Sequence, residues 1–254
     1  VINVLDIIWL CRGDERKVKM LSYVALPVAI LVHSVTAWIF GLEIAKEGWY
    51  SAIMAPIFVA SACDSGLALL MVVLAAVRKA GVFDCGRELF ANLARLLATF
   101  IAVDAFFIGC ELLTTAYPGT EGASHVLGIM TSGATAPFFW FEILGGLLIP
   151  FVLLASAKRR ERTGVVVAAS ALVMCGVFCK RVWLLFTSFT VTNVYGAPGI
   201  SSGSTAARGA DGFDMWALAG SYMPQPVEFA VVAAVVSFCI LGIALLSKKL
   251  VAKA

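Results

Sequence analysis

Apolar residues in this chain come in long runs separated by short polar segments. Six runs, at about 20–41, 51–77, 89–116, 135–157, 164–192 and 225–247, reach or exceed the roughly 20 residues a helix needs to cross a bilayer core. They predict an all-α integral membrane protein, a polytopic helical bundle of about six full transmembrane helices. The opening stretch, VINVLDIIWL, is too short to span and runs into the charged RGDERK. It reads either as the truncated end of an earlier helix or as a short helix at the membrane surface. Residues 1–19 thus form a leading, basic segment, and 20–254 the transmembrane domain.

The cations divide unevenly between the two ends of these helices. Arg12, Arg16, Lys17 and Lys19 precede the first run, and Arg78, Lys79 and Arg87 join the second to the third. Lys158, Arg159, Arg160 and Arg162 join the fourth to the fifth, and Lys248, Lys249 and Lys253 follow the sixth; the opposite side has only Lys46 and Arg208. The positive-inside rule therefore places the basic loops and the C-terminus in the cytoplasm. The outer connections, 117–134 and 193–223, are longer, rich in Gly and Ser and nearly free of cations. They read as loops that form a partner surface or cap a pocket, or as loops that are merely tolerated. Trp49, Tyr50, Tyr117, Tyr195, Trp216 and Tyr222 fall near this outer boundary, as an interfacial aromatic belt would.

Composition agrees with a membrane solvent: 61% of residues are apolar and 14% charged, against roughly 45–50% apolar in soluble domains. The formal charge of +3 then reflects topology rather than a nucleic-acid surface, and no basic stretch is interleaved with aromatics. The seven cysteines are scattered, form no C-x-x-C pair and read mostly as small apolar packers. The two histidines, His33 and His125, do not supply two axial ligands on facing spans, which argues against a b-type haem within the chain.

Ionisable residues inside apolar runs are the candidate chemistry, because each is expensive in hydrocarbon. At about 1.5 Å of rise per residue, His33 lies in the outer half of the first span and Glu111 near the outer end of the third. Glu142, Lys180, Arg181 and Glu228 sit in the outer parts of the last three spans, while Asp64 and Asp104 lie nearer the midplane. Glu111 follows Asp104 by seven residues and so shares its face. One reading is structural, with Lys180 or Arg181 paired to Glu111, Glu142 or Glu228. The other is a proton-handling pocket in which His33 titrates near neutral pH beside desolvated carboxylates, with Arg181 holding one of them ionised.

Several of these residues also carry a resemblance. His33-Ser34-Val35 with Trp38, Gly48-Trp49 ahead of Ala55-Pro56 and Phe58-Val59, and Ser65-Gly66 resemble the hairpin of the NrfD family of polysulfide reductase-like membrane subunits. Glu111 ahead of Tyr117, Lys180-Arg181, and Tyr222-Met223-Pro224-Gln225-Pro226-Val227-Glu228 resemble later motifs of that family. The chain departs from the pattern at Gln225, where Thr is usual, at Lys180, where an acid is usual, and at Asp64, where a small or apolar residue is common. Family members have two four-helix bundles, and this chain is similar to the second, the first being absent or cut short at Val1.

The resemblance implies a subunit of a bacterial cytoplasmic-membrane respiratory complex that exchanges electrons between menaquinone or ubiquinone and a peripheral four-cluster ferredoxin-like iron–sulfur subunit on the outer face. That subunit would serve a catalytic molybdopterin or cytochrome subunit. With no haem or cluster ligands in the chain, its redox cofactor would be an exchangeable quinone. The quinone or proton-handling candidates are His33, Asp64, Asp104, Glu111, Glu142, Arg181, Tyr222 and Glu228. Two alternatives stay open: a proton or small-solute transporter using the same relay, and a purely structural membrane anchor.

Overall fold

A computed structural model describes residues 2–44, 46, 48–81, 86–190 and 225–250. Among these, regular structure is entirely helical, and six helices are long and apolar enough to cross a membrane. They coincide with the six apolar runs. In order the helices are α1 (Ile2–Cys11), α2 (Glu15–Gly41), α3 (Met54–Lys79), α4 (Arg87–Ala116), α5 (Glu121–Ser132), α6 (Ala136–Ala155), α7 (Thr163–Thr190) and α8 (Pro226–Leu250). A single turn, Ala157–Arg160, links α6 to α7.

The core is a four-helix bundle of α3, α4, α6 and α7. Its helices fit because their buried positions recur at alternating three- and four-residue steps, which keeps one stripe of each facing its neighbours. On α4 the stripe runs Phe90, Ala94, Leu97, Ala98, Ile101, Asp104, Ile108. On α3 it includes Ile57, Ser61, Asp64, Ala68 and Met71. Thus Asp64 and Asp104 occupy core positions, in phase with the apolar residues that enclose them.

Helix α2 begins at Asp14, whose side chain accepts a hydrogen bond from Lys17 N, and it packs on the bundle only through its last turns, where Ala37 and Gly41 are buried. Glycine is required at position 41, because a Cβ there would stand 2.8 Å from Ser51 O. The following segment turns back through Gly48 at φ +84° and tucks Trp49 inward. This tryptophan is 6% exposed, and its indole donates to Leu184 O at 2.8 Å, between Phe40 and Phe189. Trp49 is therefore a packing residue and not a member of an interfacial belt.

The outer connection 117–134, expected as a loop, is largely the helix α5. Thr120 caps it by accepting from Ala123 N, and Ala123, Val126 and Met130 bury one stripe against the bundle. The Gly and Ser residues that suggested a loop fall largely on the other faces of this short helix. The segment 193–223, including Tyr222, lies outside the described residues. The cysteines that are described are exposed or half-buried, so they line outward faces rather than fill the core as expected.

Helix α6 is irregular. Residues Phe141–Leu148 form a π-helical segment, followed by Ile149–Ala155 with Pro150 in its first turn. Pro150 has no N–H and its ring crowds the carbonyl one turn back, and a wide turn ahead of it relieves both problems. Gly146 within the wide turn meets Gly176 of α7 with almost no space between the backbones. Thr135 and Thr187 join hydroxyls at 2.7 Å at the other end of the same pair of helices.

Candidate functional site

Lys180 stands at the centre of the bundle. It lies on the α7 stripe that includes Val166, Ala169, Ser170, Val173, Lys180, Leu184 and Thr187, and its ammonium is almost wholly buried. Nζ donates to Asp104 Oδ2 at 2.5 Å and lies 3.2 Å from Glu142 Oε1. The π-helical segment delivers Glu142 to this position, and its other oxygen accepts a hydrogen bond from Trp183 Nε1, whose ring meets Phe139 edge-on. Asp64 is fully buried and close enough to interact electrostatically with Asp104 and Lys180. Both Asp64 oxygens, Asp104 Oδ1 and Ser61 Oγ have no hydrogen-bond partner among the described residues. Buried polar atoms of this kind are normally satisfied by ordered water.

Arg181, the neighbour favoured by the sequence reading, plays a lesser part in this centre. Adjacent helical residues point about 100° apart, and the buried stripe selects Lys180. The Arg181 guanidinium lies over the Phe58 ring, 3.8 Å from its centroid, a cation–π contact, from which its charge still reaches Asp104, Asp64 and Glu142.

Above the charged centre is a narrow apolar cavity of about 40 Å³, room for a few waters. Met54, Ile57, Ile108, Leu112, Val126, Leu127, Met130 and Leu184 wall it, Lys180, Trp183 and Glu111 bring charge and an indole, and Thr115, Thr187 and Ser188 bring hydroxyls. Glu111 is held by Ser51, whose hydroxyl donates to Oε2 at 2.5 Å. Helix α5 forms one side of the cavity, so the segment read as loop supplies part of the site.

Of the predicted site residues, Asp64, Asp104 and Glu142 meet around Lys180, and Glu111 faces the adjoining cavity. His33 does not join them. It is exposed on α2, inward of the few turns that touch α3, where the helix has left the bundle. Glu228 lies in the first turn of α8, where the residues through Leu245 are exposed apart from the half-buried Gly242, and it accepts from Gln225 N at 3.2 Å. That bond caps the start of its own helix. Trp183 and Ser51 were not anticipated. Trp183 was legible as the residue one turn beyond Lys180 on the same helix; Ser51 carried no signal, because a serine at a span boundary is ordinary.

The chain is similar to three proteins of known name. It is 36% identical over 228 residues to a protein of Halobacterium salinarum provisionally named as a dimethyl sulfoxide reductase membrane subunit, covering 89% of this chain and 52% of the relative. It is 28% identical over 198 residues to a selenate reductase subunit of Mesobacillus selenatarsenatis, covering 77% and 44%. It is 26% identical over 172 residues to the Hdr-like menaquinol oxidoreductase integral membrane subunit of Archaeoglobus fulgidus, covering 67% and 44%. The chain thus spans about half the length of these curated relatives. The polysulphide reductase, NrfD family matches residues 3–193, which takes in α2 to α7 and every residue around Lys180. The four-helix core, its buried charges and these matches lead to one conclusion: the chain is an integral membrane protein of the polysulphide reductase, NrfD family.

Proposed function

We propose that this chain is part of the membrane subunit of a reductase complex and that the cavity above Lys180 takes a quinone head group. The observation that carries the reading is the lining of the cavity: aliphatic walls onto which one buried ammonium and one indole converge. That lining suits a flat, mostly apolar ring bearing two oxygens, to which Lys180 could donate, and the ring would have to part the walls to enter, since the space as it stands is only about 40 Å³. The matched relatives support the setting, since two are named as reductase subunits or membrane subunits and one as a menaquinol oxidoreductase membrane subunit.

In this reading electrons pass between the quinone pool and a peripheral iron–sulfur subunit on the outer face, which hands them on to a molybdopterin or cytochrome catalytic subunit. The basic ends of α2, α3, α4, α6 and α7 gather on one side, as antiparallel neighbours require. By the positive-inside rule that side is cytoplasmic, and the cavity opens toward the outer leaflet of the bacterial cytoplasmic membrane. Lys180 and Arg181 offer two positive charges to the three carboxyls of Asp64, Asp104 and Glu142. The third is neutral only when it holds a proton, so the charged floor can store one.

Filling the cavity tests the reading. Leu127 enters it from α5, outside the four-helix core. Leu127→Trp should create a clash of about 1–3 kcal/mol with a bound ring, lowering quinone content and quinol-dependent turnover of the assembled complex roughly tenfold or more. Organic extraction of the purified complex measures the first and a spectrophotometric assay the second. Unchanged quinone content and turnover in the assembled variant would place the quinone elsewhere.

A further inference from the structure

A second cleft lies on the other side of Glu111. It runs between the segment after α2 and the corner joining α4 to α5, lined by Lys46, Tyr50, Ser51, Thr114, Thr115 and Thr120, among others. Gly48, Glu111 and Thr115 line both spaces. The two differ in proportion: the inner cavity is walled mainly by aliphatic side chains, with Thr115, Thr187 and Ser188 among them, whereas the cleft is the more polar, with Lys46, Tyr50, Ser51 and three threonines. Tyr50 at 61% exposure and Tyr117 nearby at 87% show that the cleft reaches the surface of the described residues. A carboxyl group therefore stands in the partition between an apolar cavity and a polar cleft, latched by one serine hydroxyl.

We infer that Glu111 is the proton outlet of the inner cavity, passing protons across this partition to water in the outer cleft, with Ser51 as the latch that sets its position. The inference rests on the quinone reading above. When a quinol is oxidised in the inner cavity, its two electrons go to the iron–sulfur partner and its two protons must leave. The Glu111 carboxylate accepts a proton from the cavity side, and the resulting carboxylic acid gives it to water on the cleft side, which restores the carboxylate for the second. Gly48 keeps the partition thin. At φ +84° it is strained for any other residue, and a Cβ there would stand 2.9 Å from Ser188 Oγ and 3.0 Å from Val126 Cγ1.

The two spaces make the outlet separable from the binding site. Glu111→Gln keeps the shape of the side chain and can still accept the Ser51 hydrogen bond, but it cannot carry a proton. In the purified complex it should lower quinol-dependent turnover about 10²-fold while leaving quinone content at the wild-type level, and small diffusible weak acids such as azide should restore part of the rate. Ser51→Ala should keep quinone content and lose turnover to a smaller degree. Wild-type turnover in Glu111→Gln overturns the inference. So does loss of quinone content in step with turnover, which would make Glu111 a binding group. A second measurement uses the unaltered complex: a hydrophobic carbodiimide added during turnover should modify Glu111, located by peptide mapping, in proportion to lost activity. Full modification with activity retained, or no modification during turnover, also overturns it. Absence of quinone from the wild-type complex, by contrast, removes the binding reading itself.

Discussion

Gly146 of the π-helical segment and Gly176 of α7 cross with their backbones in contact: a Cβ built on Gly146 would stand 2.6 Å from Gly176 Cα, and the converse is tighter still. This crossing brings α6 close enough for Glu142 to reach Lys180, four residues along each helix from the glycine pair. Close approach of small residues is the usual way membrane helices gain packing energy without a hydrophobic drive between them.

Substituting either member of that crossing should therefore separate the helices. Gly176→Ala puts a methyl group into backbone, and overpacking of this kind costs about 1–3 kcal/mol. Gly66 provides the contrast, since a Cβ there meets nothing within 4 Å; Gly66→Ala should be neutral or slightly stabilising. Denaturant titrations of the purified protein in detergent measure both. Equal stability of the two variants would mean that the crossing relaxes freely.

Lys180→Met should be strongly destabilising, because it leaves Asp104 and Glu142 buried against an apolar side chain. Removing one partner of a buried ion pair costs about 3–5 kcal/mol. Adding Asp104→Asn removes one of the stranded charges, so the double variant should recover part of the loss. The same titrations decide the matter, and a double variant no more stable than Lys180→Met alone would show that the Asp104 contact contributes little.

The membrane orientation can be tested at two exposed positions in a cysteine-free background. Tyr117→Cys should react with an impermeant maleimide in intact cells, and Lys158→Cys only after permeabilisation. The reverse pattern would invert the assignment of the cavity to the outer leaflet.

Part of the candidate site was legible along the chain and part was not, and the division follows helical phase. Depth is linear in sequence, so counting residues put Glu111, Glu142 and Lys180 at similar levels and Asp64 and Asp104 somewhat deeper. Depth alone cannot say which way a residue faces. His33 shares the level of the others and is exposed on α2, while Lys180 and Arg181 are neighbours of which one is central and the other rests on Phe58. The three-and-four spacing of apolar residues around Asp104 and Asp64 contained that information.

What the sequence by itself determined is the set of membrane helices and their charge asymmetry. Both depend on the free energy of moving residues between water and hydrocarbon, which acts on each segment separately. The tertiary structure alone decided which ionisable groups meet. That Glu142 reaches Lys180 depends on a π-helical turn ahead of Pro150 and on two glycines from different helices. That 117–134 is largely a helix walling the cavity, rather than a loop over it, depends on the stripe of Ala123, Val126 and Met130 finding the bundle. These are relations between segments, and a buried charge is tolerated only where such relations supply its partner.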